Sequence, residues 1–506
     1  MPQKPGSQQF VLLPPRGIKS DVAAAAGDAA GAATLSSLHQ HVGAKGTAGV
    51  FKLGAAPASK IRVLDSVAEN GAKLVEMTPE AMNELKAQEP GMRVVPVVYY
   101  TPAVAPRHLV ATKVKAAAGG AATTAIQIKV VSKADGTPVA GAMVVAFTDF
   151  ANLVGAQGVT KQNGTVSLAL GGSSKKIERL YVYPPSGYWG KLKKNFTLKA
   201  GAAFGLTPID LSFQDCLRFF YAPSAAGAGQ GVQVGVVDTG IALNHPDLSV
   251  VGGENTVQGE NANDFGDNGG EGHGTHVAGI IAAKGTPPTG LRGVAPAARL
   301  FSYRVFGKGA ESASNFAIAK ALARAADAGC DVINMSLGGG PADEATRSGI
   351  EYARAHGALV IVAAGNENRS PVAFPASDSF ALAVSALGRK GTFPSDSTES
   401  GDVAGPYGTD KKNFIAAFSN IGPEIDVTCT GVGVLSTVPT GYAPMSGTSM
   451  ACPSVTGFAA RLLSGMAGIL GMPRNEARSD AIAQALLAAA KDMGFTPEYE
   501  GKGMPK

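Results

Sequence analysis

Val232-Gln233-Val234-Gly235-Val236-Val237-Asp238-Thr239-Gly240 is the stretch on which the fold turns. An almost uninterrupted apolar run stops abruptly at Asp-Thr-Gly, which is how a strand buried on both faces ends at a turn. Two later runs share this texture, Asp331 to Leu337 (DVINMSL) and Ala358 to Gly365 (ALVIVAAG), and a helical stretch from Ser314 to Ala328 precedes the first of them. Apolar strands alternating with helices predict an α/β domain with a parallel sheet covered on both faces. The texture persists to the C-terminus, so this domain is assigned to 231–506.

Upstream of Gly231 the pattern changes. Ala222 to Gly231 (APSAAGAGQG) is a small-residue linker, and a second Ala/Gly stretch runs from Lys115 to Thr124. Between them the alternating runs IQIKV, MVVAF, TVSLAL and RLYVY are separated by Asp135-Gly136 and Asn163-Gly164. Alternation punctuated by hairpin turns predicts a β-sandwich over 124–213. Before the second linker, Lys73 to Met77 reads as a strand, Thr78-Pro79 as an N-cap and first helical residue, Glu80 to Gln88 as a helix and Arg93 to Tyr99 as another strand. These form a small α+β module over 60–105. Residues 1–59, rich in Ala and Gly from Asp21 to Gly49, read as a mobile leader. Several units are expected, because 506 residues exceed what one hydrophobic core encloses.

Composition removes several function classes. With 45% hydrophobic and 16% charged residues the chain is globular. Its net charge of +5 is spread without dense basic runs, so nucleic acid is not an expected partner. No apolar run approaches the roughly 18 residues of a membrane span, so a membrane partner is not expected either. The opening MPQKPGSQQFVLLPPRG lacks a signal-peptide core, and the expectation is a cytoplasmic location or export by an unconventional route. Cys216, Cys330, Cys429 and Cys452 stand far apart with no CxxC pair and read as buried free thiols.

In open α/β sheets, ligands bind beyond the carboxyl ends of the strands. Asp238 closes one strand there; His273-Gly274-Thr275-His276-Val277-Ala278-Gly279 and Gly447-Thr448-Ser449-Met450-Ala451-Cys452-Pro453 each open an apolar helix. Alone, an Asp before Thr-Gly is a turn residue and a helix-initial Ser is a cap. Together they supply a chemistry. A serine hydroxyl attacks an amide only when a base takes its proton, a neutral imidazole is such a base, and a carboxylate on the other ring nitrogen fixes its tautomer. A serine at a helix start also has its own N–H directed at any oxyanion that forms.

VVDTG, HGTHVAG and GTSMACP, in the order Asp, His, Ser, resemble the signature segments of the subtilase family of serine endopeptidases; other serine hydrolases use other orders. The resemblance implies a catalytic triad of Asp238, His273 and Ser449, no required cofactor, and protein or peptide substrates. VIVAAGNEN implies that Asn366 joins Ser449 in the oxyanion hole. Asn334 to Gly340 (NMSLGGG) resembles the strand on which family substrates dock, so Ser336, Leu337, Gly338, Ala364, Gly365 and Ala373 are expected to line the substrate site. His276 is expected to be a packed structural residue, with no HExxH pattern to make it a metal ligand. No metal site is expected: Asn261 to Glu271 is oxygen-rich but reads as a solvated rim loop, and Asp247, where many family members supply a calcium ligand, is a weak candidate because AKGTPPTG after the histidine helix lacks the Asn that such sites contribute. The module at 60–105 resembles the inhibitory propeptide of a zymogen, and the sandwich resembles regulatory or adhesion-type modules beside peptidases. Gly388 to Asn413 is expected to be a surface loop. The alternative from another class is a non-catalytic binding scaffold with this fold, although no triad or oxyanion residue is missing.

Overall fold

The computed structural model describes residues 7–20, 26–41, 49–52, 60–111 and 125–506. The expected linker at 115–124 lies outside them. The strand Gln233–Asp238 sits inside an eight-stranded sheet, paired in parallel with Arg299–Arg304 on one side and Val332–Met335 on the other. Outward from Arg299–Arg304 comes Val250–Asn255; outward from Val332–Met335 come Leu359–Ala363 and Ala381–Arg389. Ile425–Thr430 continues the sheet in parallel and Asn413–Ile415 runs antiparallel at its edge. The period-two geometry of a strand divides its apolar run between two cores. Val234 and Val236 face the core shared with Val277, Ile280 and Met450 of the helices His273–Ala282 and Thr448–Leu463. Val237 faces the opposite core with Ala317, Leu322 and Ile350 of the helices Asn315–Asp327 and Glu344–Ala355.

A second, antiparallel sheet lies upstream, in the order Gly49–Lys52, Lys60–Ser66, Lys73–Met77, Gln8–Leu13, Arg93–Pro96. Its helix Pro79–Gln88 starts as the sequence predicts, with Thr78 accepting from the N–H of Ala81 at 3.3 Å. Of the expected leader 1–59, the described residues 8–13 belong to this sheet. Gln8–Leu13 pairs with strands on both sides, Val11, Leu12 and Leu13 are fully buried, and the boundary drawn at 59/60 falls within this sheet. The six-residue run QQFVLL is too short to declare itself, and both its partners are distant in sequence. The expected strand Arg93 to Tyr99 is likewise divided, Arg93–Pro96 staying in this sheet and Tyr99–Pro102 leaving it. Val11, Leu13 and Ile18 pack against Phe316, Ala319 and Ala345 of the large domain. Ion pairs of Lys19 with Asp327 (2.6 Å) and Lys320 with Asp65 (2.9 Å) border that contact.

The alternating region builds two facing sheets, one of three strands and one of four, around a core that includes Ile128, Val144, Leu180 and Leu198. Trp189, 2% exposed, leaves this core for that of the large domain and meets the Phe213 ring edge-on at 5.5 Å. The segment Gly388 to Asn413, expected to be a surface loop, is its seat. Ser397 and Glu399 are buried, the Leu192 N–H donates to the Asp396 carbonyl at 2.8 Å, and the Asp396 carboxylate takes Lys133 at 3.0 Å and Lys191 at 2.7 Å. Of its polar residues, which read as solvated, Asp396 is paired by lysines of the sandwich.

Trp189→Ala, in a Ser449→Ala background that prevents self-digestion, should lower unfolding free energy by about 3–5 kcal/mol, from lost burial and the cavity left. Urea unfolding measures this; a change under about 1 kcal/mol would mean that the sandwich is not anchored through this ring.

Candidate active site

The end of the strand Gln233–Asp238 presents a buried carboxylate. Asp238 Oδ1 accepts from His273 Nδ1 at 2.7 Å and from the Thr239 N–H at 2.7 Å. Both side chains are buried, Asp238 at 1% and His273 at 5% exposure, where a charge-assisted hydrogen bond is little weakened by water. Thr239 Oγ1 holds the start of the histidine helix by accepting from the Gly274 N–H at 2.9 Å. Gly274 permits that approach: a Cβ there would lie 2.3 Å from the Gly240 carbonyl oxygen and 3.1 Å from Asp238 Oδ1. With its Nδ1 proton on Asp238, His273 keeps Nε2 as a lone-pair base, and that atom has no hydrogen-bond partner among the described residues.

Ser449 occupies the first turn of Thr448–Leu463. Pro453, four residues on, has no N–H to give the Ser449 carbonyl. Ser336 fills the gap, its hydroxyl donating to Ser449 O at 3.0 Å, while the Ser449 hydroxyl donates back to Ser336 O at 2.9 Å. In this arrangement the Ser449 hydroxyl is turned to Ser336 and not to His273. Asn366 Oδ1 accepts from the Thr448 N–H at 2.9 Å, fixing its amide beside the helix start.

Across this site runs the chain itself. Tyr99–Pro102 forms a strand antiparallel to Ala313–Ser314 on one side and Leu337–Gly338 on the other, with Tyr100 opposite Ala313 and Thr101 opposite Gly338. The Ala103 N–H donates to Ser336 O at 3.0 Å, and the Ser449 N–H donates to Ala103 O at 3.0 Å. Two residues beyond Ala103, the Ala105 N–H donates to Ser446 O at 2.9 Å. Gly447, at φ 152°, is required here, since a Cβ would come 2.6 Å from the Ala103 oxygen. Tyr100 is fully buried, with its ring 6.1 Å from that of Phe374 and its hydroxyl against Asp343 Oδ2 and Pro341 O; burial and the Asp343 charge push its pKa up.

Ser336, Leu337 and Gly338 therefore contact the docked segment through their backbones. Gly338, Gly365 and Ala373 converge, a Cβ on Gly365 meeting Ala373 Cβ at 3.1 Å and one on Gly338 meeting it at 3.9 Å; the Ala373 N–H donates to Ala364 O at 3.0 Å. Sequence reading missed Ser446 and the double role of Ser336. Neither carries a local signal, because Ser446 acts on the docked segment through its backbone carbonyl, and Ser336 acts through its carbonyl and through a hydroxyl whose partner is far away in sequence.

A family model described as the subtilase family matches residues 229–503. The chain belongs to the subtilase family. This subtilase is 39% identical to subtilisin DY of Bacillus licheniformis over 241 residues, 47% of this chain and 78% of the relative. It is 38% identical to thermitase of Thermoactinomyces vulgaris over 239 residues, 47% of this chain and 76% of the relative. Identity with alkaline elastase YaB of Bacillus sp. (strain YaB) is 41% over 241 residues, 47% of this chain and 56% of the relative. The protein is accordingly a serine-type endopeptidase that hydrolyses protein or peptide substrates. The family-model match begins after the sandwich.

Subtilases in general need no cofactor, although some bind calcium. The surroundings of Asp247 do not fit a calcium ion. Its Oδ2 accepts from the Leu291 N–H at 2.7 Å and from the Tyr442 hydroxyl at 2.8 Å, and a Cβ on Gly285 or Gly290 would lie 2.4 or 2.6 Å from Oδ1. Among the described residues no group of three or more His, Cys, Asp and Glu side chains is placed to hold a metal.

His276 is fully buried, its Nε2 donating to the carbonyls of Val434 (3.1 Å) and Ala443 (3.0 Å). Burial lowers its pKa from the ordinary 6.5 to about 3. Between these values the unfolded chain binds the extra proton, so stability rises with pH across the window and is lost as pH falls from 6.5 towards 3. In the Ser449→Ala background, the urea midpoint should drop from pH 7 to pH 4, and His276→Gln should remove part of that drop. An identical drop in the Gln variant would exclude His276 as a source of acid lability.

Proposed function

We propose that the chemistry of this subtilase runs through Ser449, His273 and Asp238, and that its first substrate is its own chain, cut between Ala103 and Val104. The observation that carries the reading is the carbonyl of Ala103 on the Ser449 N–H, at the end of a strand added to Leu337–Gly338. A peptide held as an added strand, with one carbonyl at the nucleophile's own N–H, is in substrate register.

The geometry supports the following steps. Rotation about its Cα–Cβ bond releases the Ser449 hydroxyl from Ser336, and it gives its proton to His273 Nε2 as Oγ bonds to the Ala103 carbonyl carbon. The negative charge that moves onto the carbonyl oxygen is met by the Ser449 N–H and the Asn366 side-chain amide. Asp238, on Nδ1, stabilises the imidazolium. His273 then protonates the Val104 nitrogen, the C–N bond breaks, and Ala103 remains as an ester on Ser449. Water, giving a proton to His273, hydrolyses that ester and restores the hydroxyl. Residues before Val104 would then act as an inhibitor, held on the large domain by Val11, Leu13 and Ile18 and by the Lys320–Asp65 pair.

A fluorophosphonate probe should label the wild type on Ser449, while Ser449→Ala should take no label and stay full length. Equal labelling of the variant would remove Ser449 as nucleophile. Asn366→Leu should lower kcat by about 10² to 10³ with little change in KM, the size of the loss when the side-chain oxyanion donor of subtilisin itself is removed. A change confined to KM would take Asn366 out of the oxyanion hole. Because Asp247 is satisfied within the protein, we also propose that activity does not need calcium there; EDTA should leave peptide hydrolysis unchanged, and a loss restored by calcium would contradict this.

A further inference from the structure

Just beyond the Ala103–Val104 bond the chain borders an open cavity of about 560 Å³. The sandwich supplies one wall, with Met143, Tyr181, Tyr183 and Tyr188; the segment 438–446 of the large domain supplies another. Val104, Ala105 and Pro106 border it with short side chains that leave the volume open. Glu399 and Asp402, from the segment that seats the sandwich, also line it.

Glu399 is only 6% exposed. Its Oε1 accepts from Thr398 Oγ1 at 3.1 Å, while Oε2 has no hydrogen-bond partner among the described residues. Burial pushes the Glu399 carboxyl up, against the pull of the Ser397 and Thr398 hydroxyls. Burial and the neighbouring Glu399 push Asp402 well up. Among the described residues, Arg107 lines the cavity paired with Glu271 at 2.7 and 3.1 Å and 5.5 Å from the centre of the Tyr183 ring, and Lys133 and Lys191 pair with Asp396. Two carboxyls lining an aromatic-walled cavity have no cationic partner among the described residues, and a ligand can bring one.

We propose that this cavity is a leaving-side subsite, walled by the sandwich, that takes a long cationic side chain, lysine or arginine, from the first or second residue after the cleaved bond. It rests on the reading that places Ala103–Val104 in catalytic register. The tyrosine faces cover the methylene stem and the carboxylates receive the charged head. A neutral side chain of equal length fills the space but leaves Glu399 unpaired, and an acidic one meets like charge. The sandwich thereby acquires a role in specificity, because without it the cavity has no wall on that side.

The test uses the purified protein and internally quenched peptides of the sequence Tyr99 to Leu109, with Lys or Met at the place of Val104 or of Ala105. Lys should exceed Met in kcat/KM by about tenfold at one of the two places, the size of a charge-assisted contact. In a Glu399→Gln, Asp402→Asn double variant that ratio should fall towards one. Met equal to or better than Lys at both places in the wild type, or a Lys advantage that survives in the double variant, overturns the subsite; the first comparison needs no variant to fold. Failure of the underlying register looks different: the peptides are cut at another bond or not at all, and the subsite falls with it.

Discussion

Everything around the cleft is organised by one hydrogen bond, from the backbone N–H of Ser449 to the carbonyl oxygen of Ala103. For that oxygen to arrive, Gly447 must lack a side chain, Ser336 must offer its carbonyl to the Ala103 N–H, and Tyr99–Pro102 must complete a strand between two segments of the large domain. Each is a backbone requirement, so this part of the site depends on the paths of three chain segments more than on side-chain identity. The parallel sheet makes those paths rigid.

The two sides of the bond are held by different bodies. Upstream, the five-stranded sheet packs on Phe316, Ala319 and Ala345. Downstream, the chain crosses to the sandwich, where the His108 ring lies 5.1 Å from Phe150 and 5.0 Å from Tyr181, and the His108 backbone N–H donates to the Tyr183 hydroxyl at 3.1 Å. Breaking one covalent bond leaves both sets of contacts in place. Intramolecular tethering also keeps the effective concentration of the downstream residues high. On the proposed cut, cleavage and opening of the cleft would thus be separate events.

The large-domain sheet was legible from VQVGVVD because a strand buried on both faces writes its burial into consecutive residues. Asp238 stood out at its end, and the structure joins it to His273 in a hydrogen bond. Gln8–Leu13 was not legible, since its six residues gain meaning only from Lys73–Met77 and Arg93–Pro96 on either side. Asp396 was not legible for a related reason: a polar residue satisfied by a distant module looks the same in sequence as one satisfied by water. Pro453 shows a third limit. Its missing N–H is plain in the sequence, but that Ser336 would fill the place it leaves on Ser449 O is known only from the packing of two segments far apart in the chain.

The most direct measurement is the intact mass of the two pieces produced when purified wild-type protein is incubated, with the Ser449→Ala protein alongside. Processing in the observed register gives one new C-terminus at Ala103 and one new N-terminus at Val104, with the variant uncut. A first cut at any other bond, or the same cut in the variant, would contradict it.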